Sequence, residues 1–413
     1  AERYSDDAHE RELLRKLVWK NGQLAVRKGK EFKPDGVYAR HADHTERVAQ
    51  IPSHRYLAVM RGVKEKELAV RLALDTEPVI KGIRQAWIPR GAGSSAELLS
   101  DALEDGFKRL LFPSIEREIH AELKRRSDEQ AISVFGRNLQ QLLLTPPVTG
   151  TAILGVDPAY RTGCKLAAVD ENGAYLAHAV IYPTPPQNDY AESRDTVMEI
   201  VRRHGIAAVA IGNGTGSRET RAFFARLNAE ENANLRFTVV SEAGASVYSA
   251  SAVAQAEYPN LDVTIRGAIS IAHRLQNPMA ALVKIDPQSL GIGQYQHDVD
   301  QTLLRRRLAE TTEDLVNRVG VDVNSASVSL LTYVAGLGPT LAKRIVEHRE
   351  TNGPFRGKVD LRKVRGLGAA AFSQCSGFLR IRDGRSLLDN TGVHPESYPV
   401  ATAIREAFEV NSL

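Results

Sequence analysis

Cysteine is almost missing from this sequence. Cys164 and Cys375 are the only two in 413 residues, and neither belongs to a CxxC or Cys/His ligand pattern. That excludes a disulfide scaffold and an ordinary zinc site, and the expected setting is a reducing cytoplasm. Long apolar runs are missing as well. No stretch approaches the roughly 20 apolar residues of a membrane-spanning helix, so no membrane partner is expected. There is no G-x-S-x-G elbow, and VSEAGASVYSAS (240–251) offers serines without one, which removes serine-hydrolase chemistry. NGTGSRET (213–220) is glycine-rich but lacks the lysine of a nucleotide-binding P-loop. A triphosphatase is therefore rejected, and the stretch reads as a tight turn with Thr215 or Ser217 capping the next helix. His41, His44 and His54 share a segment without forming a metal-ligand pattern, which predicts surface or core roles. Neither sign of charge dominates, with a net of only +4.

What is present is ordinary for a globular chain, 43% hydrophobic and 25% charged, and long enough for two to four domains. The first residue is alanine, which implies a processed or shortened start. The charge is unevenly placed. Val328–Asn390 carries 11 Lys/Arg against 5 Asp/Glu, whereas residues 391–413 are net negative. A short basic segment of this kind is a candidate footprint for phosphate backbones.

Periodicity divides the chain. Residues 1–148 read mostly as helix. HERELLRKLVWK (9–20) sets Leu13, Leu14, Leu17 and Val18 on one face. RKGKEFKPDG (27–36) is a polar break, KELAVRLAL (66–74) alternates like a strand, and Pro113 suits the first turn of a new helix. TPPVTG (145–150) is a linker. From 149 to 320 the pattern is β-β-β-α-β-α-β and then helices, with ENG (171–173) joining the second and third strands as a hairpin. A leading meander with later crossovers describes a ribonuclease H-like mixed sheet better than a doubly wound Rossmann order. Residues 321–392 are helical and repetitive. LTYVAGLGPTLAKRIVEHRE (331–350) and LRKVRGLGAAAFSQCSGFLR (361–380) share L-x-x-V-x-G-L-G at an offset of 30 residues. Residues 393–413 form a helical tail. The expected fold class is thus multidomain α and α/β: a helical N-terminal region, a ribonuclease H-like domain and a tandem helix-hairpin-helix domain.

Two constellations carry chemistry. In a helix-hairpin-helix the G-x-G turn lets backbone amides approach a phosphate, and the next helix presents its N-terminal N–H groups to it. The candidate nucleic-acid contacts are Gly336, Gly338, Lys343 and Arg344 in the first repeat and Lys363, Arg365, Gly366 and Gly368 in the second. None of these reads bases, so binding of DNA or RNA should be sequence-tolerant and salt-sensitive. The second copy is the weaker binder, since Phe372, Cys375 and Phe378 read as core. The other constellation is carboxylate. Asp157 ends the first strand of the mixed sheet, Glu242 comes just after the fifth, and Asp298 or Asp300 lies in QYQHDVDQ. Asp157, Glu242 and Asp298 are the candidate catalytic and metal-ligating residues of a Mg²⁺- or Mn²⁺-dependent nuclease. Asp298 reads alternatively as the N-cap of the next helix. Asn213, ending the fourth strand, stands where such a nuclease would favour a carboxylate.

ILGVDPAYRTGCKLAAVD, AIGNGTGSRET, the block from Val240 to the VDQ after His297, VGVDVNSAS and IPSHRYLAVMRG together resemble the bacterial Tex family, transcription accessory factors related to a eukaryotic elongation factor and histone chaperone. The resemblance covers most of the chain. It implies a central helical region, a YqgF-type, RuvC-like ribonuclease H-like domain that is catalytically degenerate and needs no cofactor, then tandem helix-hairpin-helix motifs. It implies nucleic-acid binding in transcription, with the transcription machinery as a further partner. Family members usually continue into an oligonucleotide-binding-fold domain, so the expectation is a piece of a longer protein. Three functions are compatible with these features: a scaffold binding nucleic acid through phosphate contacts, a metal-dependent nuclease of the Holliday-junction-resolvase type, and a protein-interaction module.

Overall fold

A computed structural model describes residues 1–408. Residues 409–413 of the predicted tail lie outside the described residues. The chain divides into two compact units. One is Ala1–Phe135 with Gly293–Leu304, and the other is Gly136–Ile292 with the chain from Arg305 onward.

In the first unit, helix Ala8–Asn21 starts at Asp7, whose carboxylate accepts the His9 and Glu10 amides, as an N-cap should. Leu14 and Val18 are buried, but Leu13 is half exposed, so the buried stripe is narrower than the spacing implied. Strands β1 (Gln23–Lys28), β2 (His44–Arg47) and β3 (Leu68–Ala73) form an antiparallel sheet in the order β2-β1-β3. Only β3 is legible in the sequence. QLAVRK alternates too briefly to stand out, and HTER is polar. The core joins Leu14, Val18, Leu24, Tyr56, Phe107, Leu111 and Ile115. Pro113 does not open a separate helix: it follows directly on a π-helical turn, Gly106–Leu111, that joins helix Ala96–Asp105 to helix Phe112–Leu143.

In the second unit, β4 (Ala152–Asp157), β5 (Cys164–Val169), β6 (Tyr175–Ile181), β7 (Ile206–Gly212) and β8 (Arg236–Val240) form one sheet in the order β6-β5-β4-β7-β8. The first three strands pair antiparallel, and β4-β7 and β7-β8 pair parallel, which is the ribonuclease H-like order. Alternation along each strand sorts side chains to two faces. Leu154, Val156, Val209 and Ile211 pack with Val197, Phe224 and Leu227 of helices Tyr190–His204 and Ser217–Glu231. Ile153, Ala167, Ala208 and Ala210 face Ala268, Ile269 and Ala272 of helix Val263–Gln276. The second face is small because that helix lies almost on the sheet backbone. A Cβ at Gly155 would stand 2.1 Å from the Ala268 carbonyl oxygen. Each fully buried Leu, Ile or Phe contributes about 1.5–3 kcal/mol.

The repeat region packs as its sequence repeats. Leu331, Val334, Leu337, Ala342 and Ile345 are buried, and so are their counterparts 30 residues on, Leu361, Val364, Leu367, Phe372 and Cys375. Short parallel strands β9 (Val321–Asp322) and β10 (Leu379–Arg380) tie its ends together. Lys358, also buried, donates its ammonium to the carbonyls of Thr391 (2.8 Å) and Val393 (3.2 Å), pinning the next segment to this domain. Tyr398–Ala407 is the last described helix. Among the described residues no helix is long and apolar enough to cross a membrane.

Candidate nucleic-acid interface

The two G-L-G turns have one geometry. Gly336 and Gly366 have φ of 81° and 85°, the left-handed region that other residues enter at a cost. Gly338 and Gly368 each precede a helix, with φ/ψ of −79°/173° and −75°/175° and no side-chain cap. The helices are Pro339–Asn352 and Ala369–Cys375. A Cβ at Gly338 or at Gly368 would meet nothing within 4 Å. Both helix entrances are therefore open, and their first-turn amides have no side-chain acceptor. An anion is the natural partner of such an end.

The inner glycines do a different job. A Cβ on Gly336 would stand 2.7 Å from Cβ of Gln374 and 3.2 Å from the Ala371 carbonyl oxygen. A Cβ on Gly366 would stand 2.2 Å from Nη1 of Arg344 and 3.9 Å from Leu341. Residues 341 and 344 are the repeat equivalents of 371 and 374, so each turn lies against the other repeat's helix in a reciprocal fashion. Asn317 braces the first turn: its side-chain amide donates to the Tyr333 carbonyl (3.0 Å) and its oxygen accepts the Ala335 amide (2.9 Å). Sequence reading missed Asn317, which lies outside the repeat and carries no motif.

The basic candidates separate by what they already hold. Lys343 is exposed and only loosely paired with Glu347 (3.7 Å). Arg365 is exposed. Lys363 is paired with Asp360 (2.7 Å). Arg344 is half-buried and donates Nη1 to the Arg365 carbonyl at 3.2 Å. Arg362, which the sequence did not single out, sits 4.4 Å from the centre of the Phe372 ring.

The carboxylate candidates separate too. Asp157, at the end of β4, has its pKa pushed up to about 6, first by burial and then by the charge of Glu242, against an opposing pull from Lys165. Glu242 lies over the glycines of the β7 turn: a Cβ on Gly214 would fall 2.0 Å from Oε1, and one on Gly212 2.7 Å from Oε2. Its Oε2 is buried without a hydrogen-bond partner. Asn213 uses its oxygen to accept the Glu242 amide (2.9 Å). The structure thus brings Asp157 and Glu242 together in the second unit. Asp298 belongs to the first unit, where it is ion-paired with Arg61. It is not a helix cap: Asp300 accepts the Thr302 and Leu303 amides instead. Among the described residues no group of three or more His, Cys, Asp or Glu is arranged to hold a metal ion. Nor does Thr215 or Ser217 cap helix Ser217–Glu231, which opens on Gly216 in the left-handed conformation.

Comparison with known proteins accounts for the same segments. Residues 1–135 match the Tex central region-like model, 151–276 the Tex protein YqgF-like domain, 316–380 the helix-hairpin-helix motif and 386–412 an HHH domain. The chain is 45% identical over 406 residues to the uncharacterized protein YdcI of Bacillus subtilis, covering 98% of this chain and 56% of the relative. It is 42% identical over 420 residues to protein tex of Bordetella pertussis, covering 98% and 53%. The chain belongs to the Tex family. Outside bacteria, S1 RNA-binding domain-containing protein 1 of Homo sapiens is 42% identical over 343 residues, covering 81% of this chain and 34% of the relative. This Tex chain spans about half the length of the bacterial relatives it matches. In Tex terms, the ribonuclease H-like sheet is the YqgF-like domain, and the G-L-G repeats lie within the helix-hairpin-helix match.

Proposed function

We propose that this Tex chain is a nucleic-acid-binding scaffold for transcription that grips phosphate backbones through its helix-hairpin-helix turns. One observation carries the reading: two turns of the same backbone geometry, each ending in an open, uncapped helix start at Gly338 or Gly368. The first repeat is the principal contact, because its helix is 14 residues against 7 and Lys343 is exposed beside it. The role of Arg344 is to hold the two turns in register, with its charge adding to the local field. Base identity is not read, so DNA and RNA are both substrates for binding. The test is binding of labelled strands as salt is raised, with Lys343→Glu alongside. Affinity should fall steeply with salt and further in the variant. Salt-independent binding would overturn the reading.

A second reading, metal-dependent cleavage, has one observation in its favour: Asp157 and Glu242 are near enough for the charge of one to raise the pKa of the other, and neither forms an ion pair among the described residues. A divalent cation there would have two carboxylates from this chain and would supply charge for a phosphoryl oxygen. Two are few for such a site, and the pairing of Asp298 with Arg61 supports the non-cleaving scaffold. Strands recovered intact after incubation with Mn²⁺ would favour the scaffold. Cleavage that disappears in Asp157→Asn would establish an enzyme.

A further inference from the structure

The helix-hairpin-helix turns and the carboxylate pair leave one cluster unexplained. In the first unit a cleft of about 440 Å³ is lined by Arg40, His41, His44, His54, Arg55, Ala58 and Tyr295. Three short pieces meet there: the turn Ala39–His41, strand β2 and the start of helix Ser53–Lys64. The expectation for these histidines is a surface or core role, and His44 and His54 are exposed. The fold also gathers the three around one cleft.

The charge in this cleft is unbalanced. The carboxylate beside it, Glu46, is taken by Arg55 (2.7 Å) and lies 3.6 Å from His44. Arg40 has no acidic partner among the described residues, and donates Nε to Nε2 of His41 at 3.2 Å. A guanidinium donating to an imidazole puts a cation against a group that could itself become one. His41 accordingly resists protonation, first because it is partly buried and then because Arg40, Arg55, His44 and His54 surround it. The His54 side chain forms no hydrogen bond or ion pair among the described residues. The 12-residue helix that carries His54 and Arg55 begins after Pro52 with no side-chain cap, which adds its uncapped amides to the same cleft. Arg61 on that helix is neutralised by Asp298, and its guanidinium lies 4.9 Å from the centre of the Tyr295 ring.

Two guanidiniums in one cleft repel a metal ion and attract an oxyanion. Guanidinium and imidazole N–H donors match phosphate oxygens, and the volume is that of a ligand larger than bare phosphate. We propose that this cleft binds the phosphate group of a nucleotide or of a nucleic-acid strand, held by Arg40, Arg55 and the three histidines. It is a second anion site, independent of the helix-hairpin-helix turns.

The test tracks the histidine Cε1–H signals of the full chain by NMR. Sulfate serves as a first probe because its charge is constant between pH 6 and pH 8, so any change in affinity comes from the protein. Saturable shifts of His41, His44 and His54 are expected at pH 6. Arg40→Gln/His54→Gln, both exposed positions, should abolish them. Adenosine 5′-monophosphate and a short single strand with and without a 5′-phosphate then distinguish the sources, read on the same signals in a Lys343→Glu background so that loss of the other site is scored separately. Tighter binding of either source supports the site. Absence of saturation with both sulfate and adenosine 5′-monophosphate at pH 6 would overturn it. Shifts produced by Zn²⁺ but not by sulfate, or shifts unchanged in the double variant, would overturn it equally.

Discussion

Arg344 donates to the carbonyl of Arg365 at 3.2 Å, and its guanidinium occupies the space a side chain on Gly366 would need. The helix of one repeat therefore reads the turn of the other. That relationship separates glycines packed against the opposite repeat from glycines standing at open helix starts.

The separation is testable by four alanines. Gly336→Ala and Gly366→Ala force a left-handed residue against the opposite helix and should cost about 1–3 kcal/mol each. Gly338→Ala and Gly368→Ala place a methyl in open space at an allowed φ and should leave thermal unfolding nearly unchanged. Gly338→Ala should weaken binding of nucleic acid by of order 1 kcal/mol, roughly fivefold, by keeping the phosphate from the amides. Gly368→Ala should weaken it less.

Lys343→Glu should weaken binding about equally on every strand tested and lower the salt slope by about 1. Its partner Glu347 is a loose surface pair, so folding should be unaffected. Affinity measured at several salt concentrations checks both statements.

Asp157 should titrate near pH 6 by carboxyl ¹³C NMR. Its folded pKa lies above its unfolded one. The proton bound in the folded state therefore stabilises fully below about pH 4, and that contribution is lost as pH rises through 6. Asp157→Asn should consequently be the more stable form at pH 8, by of order 1 kcal/mol, with the difference vanishing near pH 4. Urea denaturation at the two pH values reads the sign. Glu242→Gln should lower the Asp157 midpoint, since the neighbouring charge is one of its two causes.

Gly214→Ala offers an independent check on that pair. Its methyl would fall on the Glu242 carboxylate, the end of a flexible chain, so the carboxylate should swing away at little cost. The Asp157 midpoint should then drop as it does in Glu242→Gln.

Lys358 makes the opposite pH prediction. Burial first, then Arg380, push its ammonium down to about 8. The unfolded chain binds the proton more tightly between pH 8 and about 10.5, so this group's contribution to stability rises with pH across that window and is lost as pH falls through 8. Lys358→Met should flatten that rise. It should also raise amide exchange in 391–398, because two carbonyls lose their donor.

Local pattern alone determined much of this protein. Short apolar runs set the five strands of the mixed sheet, ENG set the hairpin, and the 30-residue repeat marked turns whose glycines take a positive φ. These are near-neighbour effects, written where they act. Tertiary structure decided everything that depends on distant residues meeting. Strands β1 and β2 exist because β1 finds backbone partners in β3 on one side and β2 on the other, not because of their own composition. Asp298 and Asp300 differ by two residues, yet one meets Arg61 and the other caps a helix. Gly155 is required by a helix more than 100 residues later. IPSHR itself sets Arg55 next to His54, but only the fold brings Arg40 from an earlier turn into the same cleft. Charge and hydrogen bonding act over a few ångströms, and which residues come within that range is set by packing of the whole chain.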